Sequence, residues 1–537
     1  MRAGPSVILL LLAAAPAQSP GPIRFEEVSA PAGINFVHSF GAERLGSLVE
    51  STGAGAVWFD YNNDGRLDLY VVSGKELGKG MHPYPLRKRP ESPPHNRLFR
   101  NDGNGKFTDV TAAAGVGGDL FSMAAIAADY DNDGYVDLLV TGYGKVVLYR
   151  NKGGGTFEDA TAKSGIRVPG WSIGATWLDY DRDGCVDLFI GRYVKFDPEY
   201  RSYYAADNYP GPLDYEPETN VLLHNNCNGT FSDLSAASGI GRLKGRAMGV
   251  TAADFDLDGY PDIYVANDKT ENFLFHNQRN GTFKEIALTA GVAYGQNGEN
   301  TSAMGPVFQD FDQDGRVDLW VSDSKYDRLM KNIGQLQFQD VTRAAGISQL
   351  AAQYVSWGTG VHDFDNDGLD DIFLVHGGLI HMVPQEHSVL RNLGDLKFED
   401  VSSAAGPFFD RKSVGRGAAF ADYDNDGRID AFIVNLGGPA FLLHNVSAAG
   451  HWISVRLVGR KSNRDGIGAQ VEVLAGGRSQ RHERVAGSGY LSQDDPRVHF
   501  GLGAAAKVDR LTITWPGGAR QVLEDVAADR FVTVEEK

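Results

Sequence analysis

A nine-residue pattern, Asp-x-Asp-x-Asp-Gly-x-x-Asp, occurs seven times in the 537-residue chain, with one Asn replacement. The copies begin at Asp60, Asp129, Asp179, Asp254, Asp310, Asp363 and Asp422, spaced 69, 50, 75, 56, 53 and 59 residues apart. Two other signals keep the same count. A Phe-x-Asp-Val-like segment precedes each loop, starting at Phe25, Phe107, Phe157, Phe231, Phe283, Phe338 and Phe398. A Leu-rich segment follows each loop and ends on Asn101, Asn151, Asn225, Asn277, Asn332, Asn392 and Asn445. Such a repeat is one supersecondary unit that can bury its apolar face only against its neighbours.

The units read as short strands. Alternating runs such as 136–140 and 317–321 follow the loops, and Asn-Gly turns at Asn104, Asn228 and Asn280 mark hairpins. No stretch of the repeat has helical periodicity. Five residues before the first Asp stand Gly55, Ala124, Gly174, Gly249, Gly305, Gly358 and Gly417, so a side chain is excluded at that offset. Innermost strands crowding a central axis produce this demand, and repeats of this length suit a four-stranded blade better than a β-solenoid. The expected fold is all-β: a seven-bladed β-propeller over 25–445, followed by a separate small β-sandwich-like domain over 450–537. The tail signal is a set of strands around Trp452, Val471 and Trp515 broken by Gly-Gly turns.

Alternate carboxylates on a tight loop converge on one point and suit a hard divalent cation. The expected side-chain ligands are Asp60, Asn62, Asp64 and Asp68 in the first loop, and Asp129, Asp131, Asp133 and Asp137 in the second. The third and fourth offer Asp179, Asp181, Asp183, Asp187 and Asp254, Asp256, Asp258, Asp262. The fifth offers Asp310, Asp312, Asp314 and Asp318. The sixth and seventh offer Asp363, Asp365, Asp367, Asp371 and Asp422, Asp424, Asp426, Asp430. The position-seven carbonyl, Tyr135 in loop two, adds a fifth ligand. An EF-hand needs Glu at position twelve, but here that position is apolar, as in Val71, Val140 and Leu374, and a strand follows. Up to seven Ca²⁺ are expected, with magnesium less suited, and Asn62 makes the first site weaker. Asp-Gly also favours plain turns, but four carboxylates in nine residues repel one another unless a cation intervenes.

Charge supports that reading. The chain carries 51 basic and 69 acidic residues, a formal net charge of −18. Seven Ca²⁺ would leave −4, so much of the acidity is ligand. This balance disfavours nucleic acid, which needs clustered Lys and Arg. Cys185 and Cys227 form at most one bridge, in an oxidising compartment, or remain two thiols. Residues 1–17 read as a signal peptide: Arg2, an apolar run at 7–15, and Ala15-Pro16-Ala17. No run is long enough to span a membrane. The expected location is secreted, periplasmic or extracellular. Two insertions stand out, one from Ser73 to His95, the other from Tyr193 to Thr219 with Tyr200, Tyr203, Tyr204, Tyr209 and Tyr215. Long loops on a rigid scaffold are where binding concentrates. An aromatic loop can stack on a sugar or anchor a protein, or simply fold over a blade edge.

The hairpins resemble the FG-GAP (VCBS-type) repeats of integrin α-subunit propellers. The tail segments 461–469, 487–493, 498–503 and 515–518 resemble the ASPIC/UnbV domain. Together, repeats and tail resemble the cartilage acidic protein family of secreted propellers. That resemblance implies an extracellular, calcium-binding, non-enzymatic interaction protein, with a protein or glycan as partner. The alternative is a carbohydrate-active enzyme of polysaccharide-lyase type, with an acid–base set in the Tyr-rich insertion. His376, His381 and His387 form the other cluster that could act as bases. No nucleophile elbow, His-Glu-x-x-His helix or phosphate-cradling loop is present, and Ser488 reads as a turn of the tail.

Overall fold

The computed structural model describes residues 21–42, 44–77, 95–200, 209–348, 352–379 and 381–537. The leader at 1–17 lies outside the described residues, as do 78–94 of the first insertion and 201–208 of the second, with Tyr203 and Tyr204.

Each aspartate loop joins the first two strands of an antiparallel unit. The Asn-terminated strand and the Phe strand complete it as third and fourth. The first unit is Ala56–Phe59, Asp68–Val71, Arg97–Gly103 and Lys106–Asp109, in a register that pairs Phe59 with Asp68 and Asn101 with Phe107. Among the described residues five units are separate four-stranded sheets. The second and third join into one eight-stranded sheet, where Gly170 and Trp171 pair with Gly144 and Tyr143. The Phe strand belongs to the unit before the loop it precedes in sequence. Phe25–Glu27 therefore has no unit of its own and pairs with Phe441–Asn445, closing the last sheet with the start of the chain. The first strands neighbour one another in cyclic order, from the first unit to the seventh and back to the first. The arrangement is all-β and propeller-like.

The seven motif phenylalanines are all buried between units. Short helical turns follow several Phe strands, such as Thr111–Ala114 and Ala287–Ala290; at four residues they are too short to show a period in sequence. Crowding at the axis explains the small-residue offset. A Cβ on Gly55 would lie 1.7 Å from the Leu491 carbonyl oxygen, and one on Gly249 1.7 Å from that of Met304. Gly417, Gly305 and Gly358 meet backbone oxygens at 2.4, 2.7 and 2.8 Å. Gly174 departs from the expectation: its nearest neighbour, Val250 Cγ2, is at 3.4 Å, ordinary contact.

The tail has two sheets. One orders Val498–Gly503, His451–Val458 and Arg530–Glu535; the other orders Arg478–Glu483, Gln470–Ala475, Lys507–Thr514 and Arg520–Ala527. Ile453, Val471, Val473, Phe500, Ile513 and Trp515 share one core between them. The tail is less separate than the sequence suggests, because its segment 486–495 runs inside the ring. Trp177 N–H donates to the Ala486 carbonyl (3.0 Å), Gly489 N–H to Pro306 (3.0 Å), and Gln493 N–H to Ala56 (3.0 Å). The Gln493 side chain accepts from Ala127 N–H and donates to its carbonyl, at 2.9 and 3.0 Å. Ser488 therefore lies in the central channel, not in a free turn of the tail. Tyr490 is fully buried against Trp357 and donates to the Thr52 carbonyl (2.6 Å). Thr52 ends the short buried helix Leu48–Thr52, which fills the channel from the opposite side and is capped by Glu50, whose carboxylate accepts from the N–H groups of Gly46 (2.7 Å) and Ser47 (3.0 Å).

Candidate metal centres

The loops share one internal scaffold. The Gly at position six has φ between +83° and +93° in all seven, a conformation that glycine alone adopts freely. Position four is also left-handed throughout, at Asn63, Asn132, Arg182, Leu257, Gln313, Asn366 and Asn425. Asn suits that region, whereas Leu257 holds it at a steric cost. The first aspartate accepts from the N–H groups of positions five and six: Asp129 from Asp133 (3.0 Å) and Gly134 (2.7 Å), Asp422 from Asp426 (2.9 Å) and Gly427 (2.8 Å). Position-four side chains link loops sideways. Asn63 donates to the Gly134 carbonyl, Asn132 to Gly184 and Asn366 to Gly427, at 2.8, 3.1 and 2.9 Å.

The terminal Asn of the third strand joins neighbouring units. Asn277 donates to the Tyr180 carbonyl of the preceding loop (2.8 Å) and to Pro261 of its own (3.2 Å), while its backbone N–H donates to Asp262 (2.7 Å). Asn151 reaches Tyr61 in the same way, and Asn101 reaches Tyr423, linking the first unit to the last. Asn277→Ala would leave two buried carbonyls unpaired. We expect a loss of about 3 kcal/mol, read from the urea midpoint.

Sequence inspection overlooked one group, although its signal was present: the residue before that Asn is basic in every repeat. These are Arg100, Arg150, His224, His276, Lys331, Arg391 and His444. Six reach their own loop. Arg150 contacts Asp131 (2.5 Å) and Asp133 (2.7 Å), His276 contacts Asp256 (2.9 Å), Arg391 contacts Asp365 (2.8 Å), and Lys331 pairs with Asp312. Hydrogen bonds to Asp187 and Asp430 raise His224 and His444 to about 9. Arg100 turns instead to Asp102, since its loop has the uncharged Asn62 at position three.

These bases leave oxygens over. Asp131, Asp181, Asp312 and Asp365 all occupy position three, and each keeps a buried Oδ1 without a hydrogen-bond partner. Asp179 Oδ1 and Asp262 Oδ2 are in the same state; loops one and seven have no such atom among the described residues. Oxygens of Asp129, Asp131 and Asp137 lie within 4.8 Å of one another, a span that one ion with bonds of about 2.3–2.6 Å can bridge. Burial, with added repulsion from loop neighbours, raises Asp68, Asp129 and Asp318 to about 8 and Asp179, Asp187 and Asp422 to about 7. The same causes push Asp137, Asp262, Asp363, Asp371 and Asp430 well above the carboxylate range. Burial and mutual repulsion therefore disfavour ionising all the loop carboxylates together, and a bound cation would offset that cost. The carboxylate oxygens of positions one, three, five and nine, with their orphaned buried atoms, fit Ca²⁺, which these residues would hold; in loops three, four and seven a nitrogen of His224, His276 or His444 also lies within 4.8 Å of two of the carboxylates.

Other candidates disperse. His376 and His387 are buried, bonded to Ser388 (3.0 Å) and Ser413 (2.8 Å), and burial lowers His387 to about 4. His387 Nδ1 also accepts from the His376 backbone N–H (3.1 Å), whereas His381 is exposed. Of the described tyrosines of the second insertion, Tyr193 and Tyr215 pack inward, whereas Tyr200 is exposed. Tyr193 stacks edge-on to Trp171 (4.9 Å) and donates to Asp268 (2.6 Å), and Tyr215 is buried against Phe196. Cys185 and Cys227 are bridged, tying position seven of loop three to the adjacent hairpin turn.

A repeated aspartate-loop hairpin, arranged cyclically and capped by an all-β tail, defines the class. The FG-GAP-like repeat model matches 60–140, 129–190, 213–265, 254–321, 310–374 and 363–433, and the ASPIC and UnbV model matches 459–537. The chain belongs to the FG-GAP-like repeat family with an ASPIC and UnbV tail. It is similar to cartilage acidic protein 1 of Mus musculus, 27% identical over 60% of this chain and 49% of that protein. The Homo sapiens protein is 28% identical over 63% and 50%. The chain thus spans about half the length of the curated relatives it matches. An Agrocybe aegerita lectin that recognises terminal N-acetylglucosamine aligns over 79% of this chain and 97% of its own, at 16% identity and a TM-score of 0.39, too low to carry an argument. No helix among the described residues is long and apolar enough to cross a membrane.

Proposed function

We propose that the chain is a secreted, calcium-stabilised seven-bladed β-propeller with a β-sandwich tail, acting as a non-enzymatic extracellular scaffold for a protein or glycan. The unpartnered Oδ1 of Asp131, Asp181, Asp312 and Asp365 is the observation that carries the metal reading. The cyclic order of first strands supports the blade count, and the relatives' name supports an extracellular setting.

The tail covers the loop face, so the partner face is the opposite end, where second strands turn to third. A cleft of about 580 Å³ opens there, lined by Lys269, Glu299, Asp323, Lys325, Tyr326 and Arg328, with Tyr326 57% exposed. An aromatic face beside paired donors and acceptors suits a polar partner. A glycan array and a panel of matrix proteins, probed with and without calcium, test this. Calcium-dependent capture that falls at least tenfold in Tyr326→Ala is the expected result; capture unchanged in that variant contradicts the assigned face. Sustained release of unsaturated uronate products from polysaccharide would contradict the non-enzymatic assignment.

A further inference from the structure

Polar groups of the tail are distributed over the metal loops. Arg464 N–H donates to Asn132 Oδ1 in loop two (2.9 Å), and Arg478 to the Asp367 carbonyl in loop six (2.8 Å). Arg481 donates to the Gly315 carbonyl in loop five (3.3 Å), where Leu257 of loop four has no amide to offer. Arg497 donates to the Asp422 carbonyl and Asn425 Oδ1 in loop seven, both at 2.6 Å.

Three tail groups are carboxylates, and each accepts from the backbone N–H of a loop's first aspartate. Asp465 takes that of Asp129 (2.7 Å), Glu483 that of Asp254 (3.0 Å) and Asp495 that of Asp422 (3.3 Å). Asp495 is neutralised by Arg497, which grips it at 2.6 Å. Asp465 and Glu483 have no ion pair among the described residues; Glu483 receives only the Gln470 amide (2.6 Å) besides its loop bond. Loops two and four therefore each gain a fifth carboxylate beside four of their own; at loop two the tail also brings Arg464 Nε to 3.9 Å from Asp129 Oδ2, and the buried Arg484 lies close enough to Asp465 to attract it, so loop four carries the less compensated charge. Both also hold a buried oxygen with no partner, Asp131 Oδ1 and Asp262 Oδ2.

We propose that the tail completes the second and fourth metal loops: Asp465 and Glu483 are positioning carboxylates, attracted to a filled loop and repelled by an empty one. Cations in these loops hold the tail, with its channel segment 486–495, on the ring. By linkage the seated tail tightens the same two sites, since affinity follows ligand charge. The ring thus has two classes of site. The inference rests on cations occupying the loops, as proposed above.

Hydrogen exchange on the full chain, with calcium or with EDTA, tests it at the amides of Trp58, Trp177, Gly489 and Gln493, whose bonds cross between ring and tail segment. In EDTA these should exchange at least tenfold faster relative to amides within sheets. The double variant Asp465→Asn/Glu483→Gln should lose most of that difference and bind calcium at least tenfold more weakly at two sites. Glu483→Gln alone serves if the pair does not fold. Equal protection in protein shown to bind calcium, or a variant that keeps the full difference, overturns the inference while leaving the metal reading intact. Absence of bound calcium overturns both.

Discussion

Excess EDTA is expected to lower the melting temperature of the full chain by about 15–20 °C, with calcium restoring it. A site held at about 100-fold over its dissociation constant stabilises the folded state by about 2.7 kcal/mol. Seven such sites act together, against an unfolding entropy of about 2 cal/mol/K per residue. The direction follows from the loops themselves. Nineteen of their carboxylates are pushed upward, chiefly by burial with repulsion from neighbouring carboxylates, among them Asp68, Asp129 and Asp318. Removing a cation bound there would leave these groups to protonate or to repel, and either route would cost folding energy. Magnesium should restore less of the melt than calcium, since it demands a stricter octahedral shell. The calorimetric melt in EDTA, calcium and magnesium checks the order.

Gly249→Val is the point substitution expected to cost most, about 3 kcal/mol or more, enough to abolish soluble expression. Its Cβ would fall 1.7 Å from the Met304 carbonyl oxygen and 2.6 Å from Pro306 Cδ, and backbone cannot step aside as a side-chain tip can. Gly174→Ala is the matched control: its Cβ would meet nothing closer than 3.4 Å, so its midpoint should move by less than about 1 kcal/mol. Denaturant melts of the pair separate axial crowding from a general intolerance of substitution.

Most of the ring was legible because its demands recur. A position that must be small, a Phe that must fill the gap between sheets and an Asn that must bridge two loops each appear seven times, so chance is averaged out. The chemical sense of the Asn was not legible, because its partners, such as Tyr180 for Asn277, lie in the preceding unit, close only after folding. The basic residue before it was equally periodic and went unread, since Arg, Lys and His share a charge and not a shape. Events that happen once were harder. The descent of 486–495 into the channel leaves only Gly and Tyr as a trace, and these read as a turn when the tail is taken alone. The tyrosines of the second insertion suggested a binding platform, yet Tyr193 and Tyr215 are used in packing, because aromatic content does not reveal which way a loop folds.

Elemental analysis of protein purified without chelator tests the central claim most directly. Close to seven equivalents of calcium per chain, falling by one when Asp131 and Asp137 are both changed to Asn, is the predicted result. Metal-free protein whose β-structure and melt are the same in EDTA as in calcium would contradict it.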